Sequence, residues 1–348
     1  MRLARLLIPI ALADGGAYHL INRVCDRRFI FGDAEKHKLL ELVRRYERFC
    51  GLRVLTFCLM SNHFHLLVEV PPRPLDADSM PDEDLVARVQ HCQGKQAAFE
   101  LAEALKYCLK KGDSLGYERL RRKWLSRMWN LAAFVQSVKQ RFSVWYNRSN
   151  KRRGTLWEER FKSVIAMGPE AVASMAAYID LNPVRAGIVV DPKDYSWSGY
   201  GRAVSGDKMA KAGLRRAFCE MNGAMLLTEA EKKRPLEWYR SWIYMRGVER
   251  GVNADGKPLK RGVKPEEAEA VVKAGGKMPA IDGLRQRVRY FTDGLAVGSK
   301  ELLEEVFQAT RDYFGPRRTS GARTMKGEGW GGLKAMRDLR EAPEASED

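Results

Sequence analysis

Apolar and polar residues alternate through "AYHLINRV" (17–24), the period of a strand, and the run stops at the charged "CDRRF". The period then changes. In "DAEKHKLLELVRRYERFCG" (33–51) Leu39, Leu40, Val43, Tyr46 and Phe49 recur at helical spacing, with Asp33 placed to cap the start and Gly51 to stop the end. "LRVLTFCLM" (52–60) and "HFHLLVEV" (63–70) read as two strands joined by Ser61-Asn62, a two-residue hairpin connection. A proline-rich acidic loop follows, and residues 85–147 read as mostly helical. "PEAVASMAAYIDLNPVRAG" (169–187) is a helix that must end near Asn182, because Pro183 restricts the residue before it.

Strand, helix, hairpin, helices and a return helix predict an α+β domain over residues 1–200: an antiparallel sheet with helices on one face. Residues 201–348 read as a mainly helical accessory region, with helices near 229–246, 281–291 and 299–313. A basic, Gly-rich stretch and a flexible acidic end, "REAPEASED", close it. The pair of helices at 281–313 is compatible with a small helix-turn-helix-like DNA-binding element and equally with accessory packing.

Charge adds a partner to this picture. The 61 Lys and Arg against 44 Asp and Glu leave +17 over 348 residues, a surplus that favours a polyanion, most often nucleic acid. Six scattered cysteines form neither a disulfide framework nor a zinc spacing, so a reducing cytoplasm is the expected setting. "RLLIPIALADGG" is interrupted by Pro9 and runs straight into the first strand, so it reads as the approach to that strand rather than a secretory signal. No segment is long and apolar enough to predict a membrane span.

Three groups of residues could carry chemistry. Side chains alternate faces along a strand, so His63 and His65 point the same way while Phe64 and Leu66 point the other. Two such imidazoles can share one divalent metal if a third ligand comes from elsewhere. One core and one rim histidine would produce the same pattern. In "YIDLNPVRAG" (178–187), Tyr178 and Asn182 lie four residues apart on one helix face and Asp180 points away. The tyrosine hydroxyl is a candidate nucleophile and the asparagine oxygen a neutral metal ligand; packing and helix capping are the alternatives. Tyr146, in "VWYNRS", is the competing nucleophile. Between 141 and 162 lie seven Lys/Arg and two Glu, interleaved with Phe142, Trp145, Tyr146, Trp157 and Phe161. Cations neutralise phosphates and aromatic faces stack on unpaired bases, so Arg141, Arg148, Lys151, Arg152, Arg153, Trp157, Arg160 and Lys162 are the expected DNA contacts.

Together these blocks, "YHLINR", "CLMSNHFHLLVE", "RRGTLWEERFKS", "YIDLNPVRAG" and "WSGY", resemble the single-tyrosine HUH transposases, which comprise small insertion-sequence transposases and REP-associated tyrosine transposases. The resemblance covers about residues 1–200 and implies a ferredoxin-like α+β catalytic domain. It also implies Mg²⁺ or Mn²⁺ and transposition by cleavage and rejoining of single-stranded DNA near hairpins or palindromes; a monomer or homodimer is expected. By position, His63 and His65 resemble the HUH metal ligands, Tyr178 the nucleophile that forms a 5′-phosphotyrosine, and Asn182 the third ligand. Compact insertion-sequence members usually carry Gln there; Asn resembles the REP-associated branch. The long C-terminal extension also departs from the compact members. A domesticated hairpin-binding protein that does not cleave is the alternative.

Overall fold

The computed structural model describes residues 16–220, 235–247, 289–325, 330 and 332–337. The expectations for the N-terminal approach, the 281–288 part of the helix pair and the acidic end lie outside the described residues.

Two compact units share the chain. The first draws its described residues from Met1–Arg23, Val54–Glu69 and Arg160–Asp348, and the second comprises Val24–Arg53 and Val70–Glu159.

The first unit is built on a seven-stranded sheet. Its strands are β1 (Gly16–Arg23), β2 (Arg53–Leu59), β3 (His63–Glu69), β4 (Lys162–Met167), β5 (Ala296–Gly298), β6 (Arg323–Thr324) and β7 (Lys334–Met336), in the order β2-β3-β1-β4-β5-β7-β6. β1 pairs antiparallel with both β3 and β4. The first four strands therefore stand in the order 2-3-1-4, the ferredoxin-like arrangement that the resemblance implies, and the α+β class holds. Met60 N–H donates to the His63 carbonyl at 2.9 Å, closing the expected two-residue turn around Ser61-Asn62.

Three of the sheet's strands lie beyond residue 288, in a region read from the sequence as mainly helical. β5 runs parallel to β4 and antiparallel to β7. It separates the short helix Arg289–Asp293 from the helix Lys300–Ala309, so a strand of the sheet stands between those two helices instead of a turn. With strands of two or three residues, β5, β6 and β7 are too short to show a period.

Register decides which side chains share a face. Ile21 pairs with His65 and Lys162, Arg23 with His63, and His19 with Leu67 and Val164. One face thus carries His19, His63 and His65 together with Ala17, Leu67, Val164 and Ala166. Over it packs a helix, α6 (Pro169–Asp180), whose residues Ala171 to Asp180 are all buried. A helix apolar on every side belongs inside a protein, and its small alanines allow close approach to the sheet. Gly168 starts α6 at φ +80°, a conformation side chains resist, and Pro169 at its first turn needs no N–H partner.

Asp180 does point away from Tyr178, but into the core rather than to water. It is fully buried and accepts from Thr56 Oγ1 (3.1 and 3.0 Å), the Tyr200 N–H (3.1 Å) and the Tyr239 hydroxyl (2.6 Å). Gly199 makes this possible, since a Cβ there would lie 2.1 Å from Thr56 Oγ1.

The second unit holds α1 (Asp33–Cys50), α2 (Asp82–Gln93), α3 (Lys95–Lys111), α4 (Ser114–Leu125) and α5 (Leu131–Ser149). Asp82 at the start of α2 accepts from the Tyr117 hydroxyl of α4 at 2.9 Å. Trp157 packs here against Phe31 and Phe142, and its indole N–H reaches Ser143 Oγ at 2.8 Å.

Candidate active site

Tyr178, His63 and His65 meet where α6 crosses the central strands of the first unit. The His63 and His65 ring centroids are 5.0 Å apart, and the His65 ring lies 6.4 Å from that of Tyr178. A third histidine, His19, stacks on His65 at 5.1 Å and meets Tyr178 edge-on at 5.9 Å. His19 carried no role in the sequence reading. The signal was present in the strand pairing: β1 beside β3 places its alternate residues on the face of the His63 and His65 side chains.

The hydrogen bonds define which nitrogens can serve a metal. Burial pushes the His19 and His63 imidazoles down to about 4, aided at His63 by Arg23. His65 falls well below its ordinary value, first through burial and then through His63, His19, Arg185 and Arg23. All three rings are therefore neutral near pH 7. His19 Nδ1 lies 2.8 Å from the Phe291 carbonyl, which can only accept, so Nδ1 carries the proton and Nε2 is the acceptor. His19 Nε2 in turn lies 2.8 Å from His65 Nδ1, which must donate. His63 Nδ1 donates to Asn62 Oδ1 at 2.7 Å. Both His63 and His65 are left with an unprotonated Nε2, the form that ligates metals.

Asn182 opens the short helix Asn182–Arg185 just after α6. Its amide nitrogen donates to the Tyr178 and Ile179 carbonyls at 3.3 and 3.0 Å, capping α6, and these bonds do not use its side-chain oxygen. Arg185, one turn on, donates to the Tyr178 carbonyl and holds its guanidinium 4.2 Å from the Tyr178 ring centroid. It is the second residue that sequence reading passed over. Tyr178 itself is only 3% exposed, with Phe291 edge-on at 5.3 Å and Trp330 behind Phe291 at 5.8 Å.

The expected DNA contacts divide between the units. In the second unit Arg141, Arg148, Lys151 and Arg153 are exposed, while Arg152 is half-buried and donates to Asn147 Oδ1 (3.2 Å) and the Thr155 carbonyl (2.9 Å). Trp157 departs from expectation: it is buried in that unit's core, where its ring is covered by Phe31 and Phe142 and is no platform for a base. Arg160 and Lys162 are exposed in the first unit, and Lys162 pairs with Asp293 at 3.0 Å. Tyr146, the alternative nucleophile, stacks on Phe142 in the second unit.

An antiparallel sheet of ferredoxin-like order, with a His-x-His strand under a tyrosine-bearing helix, is the arrangement that the sequence motifs imply. Residues 14–76 match the family model described as "Transposase IS200 like", so this stretch is IS200-transposase-like, in agreement with the motif resemblance. The match includes His19, His63 and His65 and ends before Tyr178 and Asn182. No curated protein matches the chain. Among solved structures, a REP-associated tyrosine transposase bound to a REP hairpin is similar at 14% identity, with 59% of this chain and 87% of that chain covered and a TM-score of 0.37.

The divalent metal implied by this family fits the side chains present. Two neutral imidazoles offer Nε2 and an amide offers an oxygen, a donor set suited to Mg²⁺ or Mn²⁺ when water and phosphate complete the sphere. Among the described residues no three His, Cys, Asp or Glu side chains form a metal cluster. Among the described residues no helix is long and apolar enough to cross a membrane.

Proposed function

We propose that the protein is a metal-dependent tyrosine endonuclease and strand transferase that acts on single-stranded DNA beside hairpins, in the manner of a transposase. One observation carries this reading: the only tyrosine of α6 lies beside His65, which meets His63, and both histidines keep an unprotonated Nε2. His63, His65 and Asn182 would hold the metal, which would supply Lewis acidity at the scissile phosphate.

The remaining steps belong to the chain. Tyr178 Oη attacks phosphorus in line and gives up its proton to solvent. The P–O3′ bond breaks, the 3′ oxygen takes a proton from water, and the 5′ phosphate stays on Tyr178 as a phosphodiester. The bond energy is retained, so attack by a free 3′-OH reverses the step and rejoins a strand without a nucleotide cofactor. Arg185 places a fixed positive charge beside the attacking group and the phosphate it meets. His19 holds the His65 ring in the ligating tautomer.

The burial of Tyr178 behind Phe291 favours a second reading, a hairpin-binding protein that does not cleave. A hairpin oligonucleotide labelled 3′ of the cut separates the two. With Mn²⁺ the native protein is expected to give a covalent adduct that maps to Tyr178, and Tyr178→Phe to lose the adduct while still binding DNA. Binding with no adduct at any metal concentration selects the second reading; an adduct that persists in Tyr178→Phe and vanishes in Tyr146→Phe overturns the nucleophile.

A further inference from the structure

The second unit contains a cleft of about 320 Å³ between α1, the end of α2, α4 and α5. Its walls hold Tyr46, Gln93, Trp124, Arg127, Gln140 and Arg141, and no carboxylate lines it. The volume is at the small end of the range for small-ligand sites, too small for a duplex.

The polar groups are pre-set rather than loose. Arg127 is held over the Trp124 ring at 5.5 Å and the Phe49 ring at 5.6 Å, and donates to Ser137 Oγ at 2.9 Å. Arg141 donates to the Gln93 side-chain oxygen, and the Gln93 amide donates to the Tyr46 hydroxyl at 3.1 Å. Trp124 is half-buried, braced edge-on by Phe49 at 6.0 Å. A planar ring, two guanidinium groups and two amides able to read a base edge make one chemical description: a planar, polar heterocycle carrying an anion.

We infer that this cleft receives one unpaired nucleotide of the bound strand, its base against Trp124 and its phosphate on Arg127 and Arg141. The inference rests on the reading of the protein as a single-stranded DNA binder and adds the place where a base is held. Arg148 continues the track: it lies seven residues after Arg141, two turns along the same face of α5 and ~10 Å away. A cation at that position meets the next phosphates of a strand whose base is in the cleft.

The test is a coupling measurement by fluorescence anisotropy on a hairpin with single-stranded flanks. Each unpaired nucleotide is replaced in turn by an abasic one. One position is expected to weaken binding by about ten-fold in the native protein and to cost nothing further in Trp124→Ala, with Trp124→Phe restoring the penalty. Arg141 is exposed, so Arg141→Ala leaves packing alone; it should reduce the penalty of an uncharged methylphosphonate at the same position, the remainder being carried by Arg127. If DNA binds but every abasic penalty is the same in Trp124→Ala as in the native protein, the cleft assignment fails and the function reading stands. If no DNA binds, both fail. Calorimetry with a deoxynucleoside monophosphate supplies the last arm: tight, Trp124-dependent binding of the free nucleotide without coupling in the hairpin would overturn the strand as the occupant.

Discussion

The histidine–tyrosine site and the basic stretch that begins on α5 and runs past its end differ most in their exposure. At the first, three imidazoles, a tyrosine and an arginine are gathered together, and His65 and Tyr178 are each 3% exposed. At the second, Arg141, Arg148, Lys151 and Arg153 stand in solvent. Burial keeps the imidazoles neutral and their hydrogen bonds fix the tautomers, which is what metal ligation would require. Exposure leaves the arginines able to exchange counterions for phosphates, which is what affinity for a nucleic acid would require. The contrast predicts that chemistry here answers to protons and binding answers to salt.

The largest break in that contrast is expected from His65→Ala. It removes one proposed metal ligand and the partner of His19, so Mn²⁺ affinity measured by electron paramagnetic resonance should fall about 100-fold or more, with DNA affinity unchanged. Unaltered Mn²⁺ affinity would remove His65 from the ligand set.

Trp157→Ala tests the boundary between the two behaviours, because this tryptophan lies in a basic, aromatic stretch yet packs inside. The expected result is a stability loss of about 3–5 kcal/mol by denaturant unfolding, with the salt slope of DNA binding preserved. A lost salt slope in a fully folded variant would return Trp157 to the DNA.

Asp180 sharpens the proton half. Burial raises its carboxyl from 3.8 to about 7, against the opposing pull of the Tyr239, Tyr200 and Thr56 hydrogen bonds. The folded state therefore holds this proton more tightly than the unfolded chain. Its contribution is full below the unfolded pKa, shrinks as pH climbs from about 4 to about 7, and changes no further above that. The swing is on the order of 4 kcal/mol at most. Thermal denaturation across that window should show it in the native protein, and Asp180→Asn should remove that part of the slope. Identical slopes would mean that Asp180 titrates normally.

The smallest effect belongs to the salt half. Arg153→Ala should weaken hairpin binding only a few-fold and make the salt dependence shallower by ~0.7 in log–log slope, one phosphate contact on a single strand. An unchanged slope would take Arg153 off the DNA path.

Much of this was readable along the chain because the period of a buried strand or helix is a local property. The hairpin around Ser61-Asn62, the shared face of His63 and His65, and the one-turn relation of Tyr178 to Asn182 all follow from a few consecutive residues. What was missed depends on distant partners. β4, "KSVIAM", begins at Lys162, where the basic run ends, and no strand is read there from the sequence. His19 becomes part of the site only through the pairing of β1 with β3 and the carbonyl of Phe291, 272 residues away. Trp157 has the composition of a binding residue and the environment of a core one; only the Phe31 and Phe142 rings around it distinguish the two.

The pairing of β4 with β5 reaches beyond the site. Ile165 and Ala166 face Ala296 and Val297 in parallel register, and the Ile165 N–H is met by the Leu295 carbonyl at 2.8 Å. A polypeptide ended at residue 200 would present this apolar strand as an open rim, its amides and carbonyls bare toward the next molecule. Such rims recruit strands from neighbouring chains. The late residues of the protein thus act as a selvedge, finishing the fabric so that the sheet ends within its own molecule.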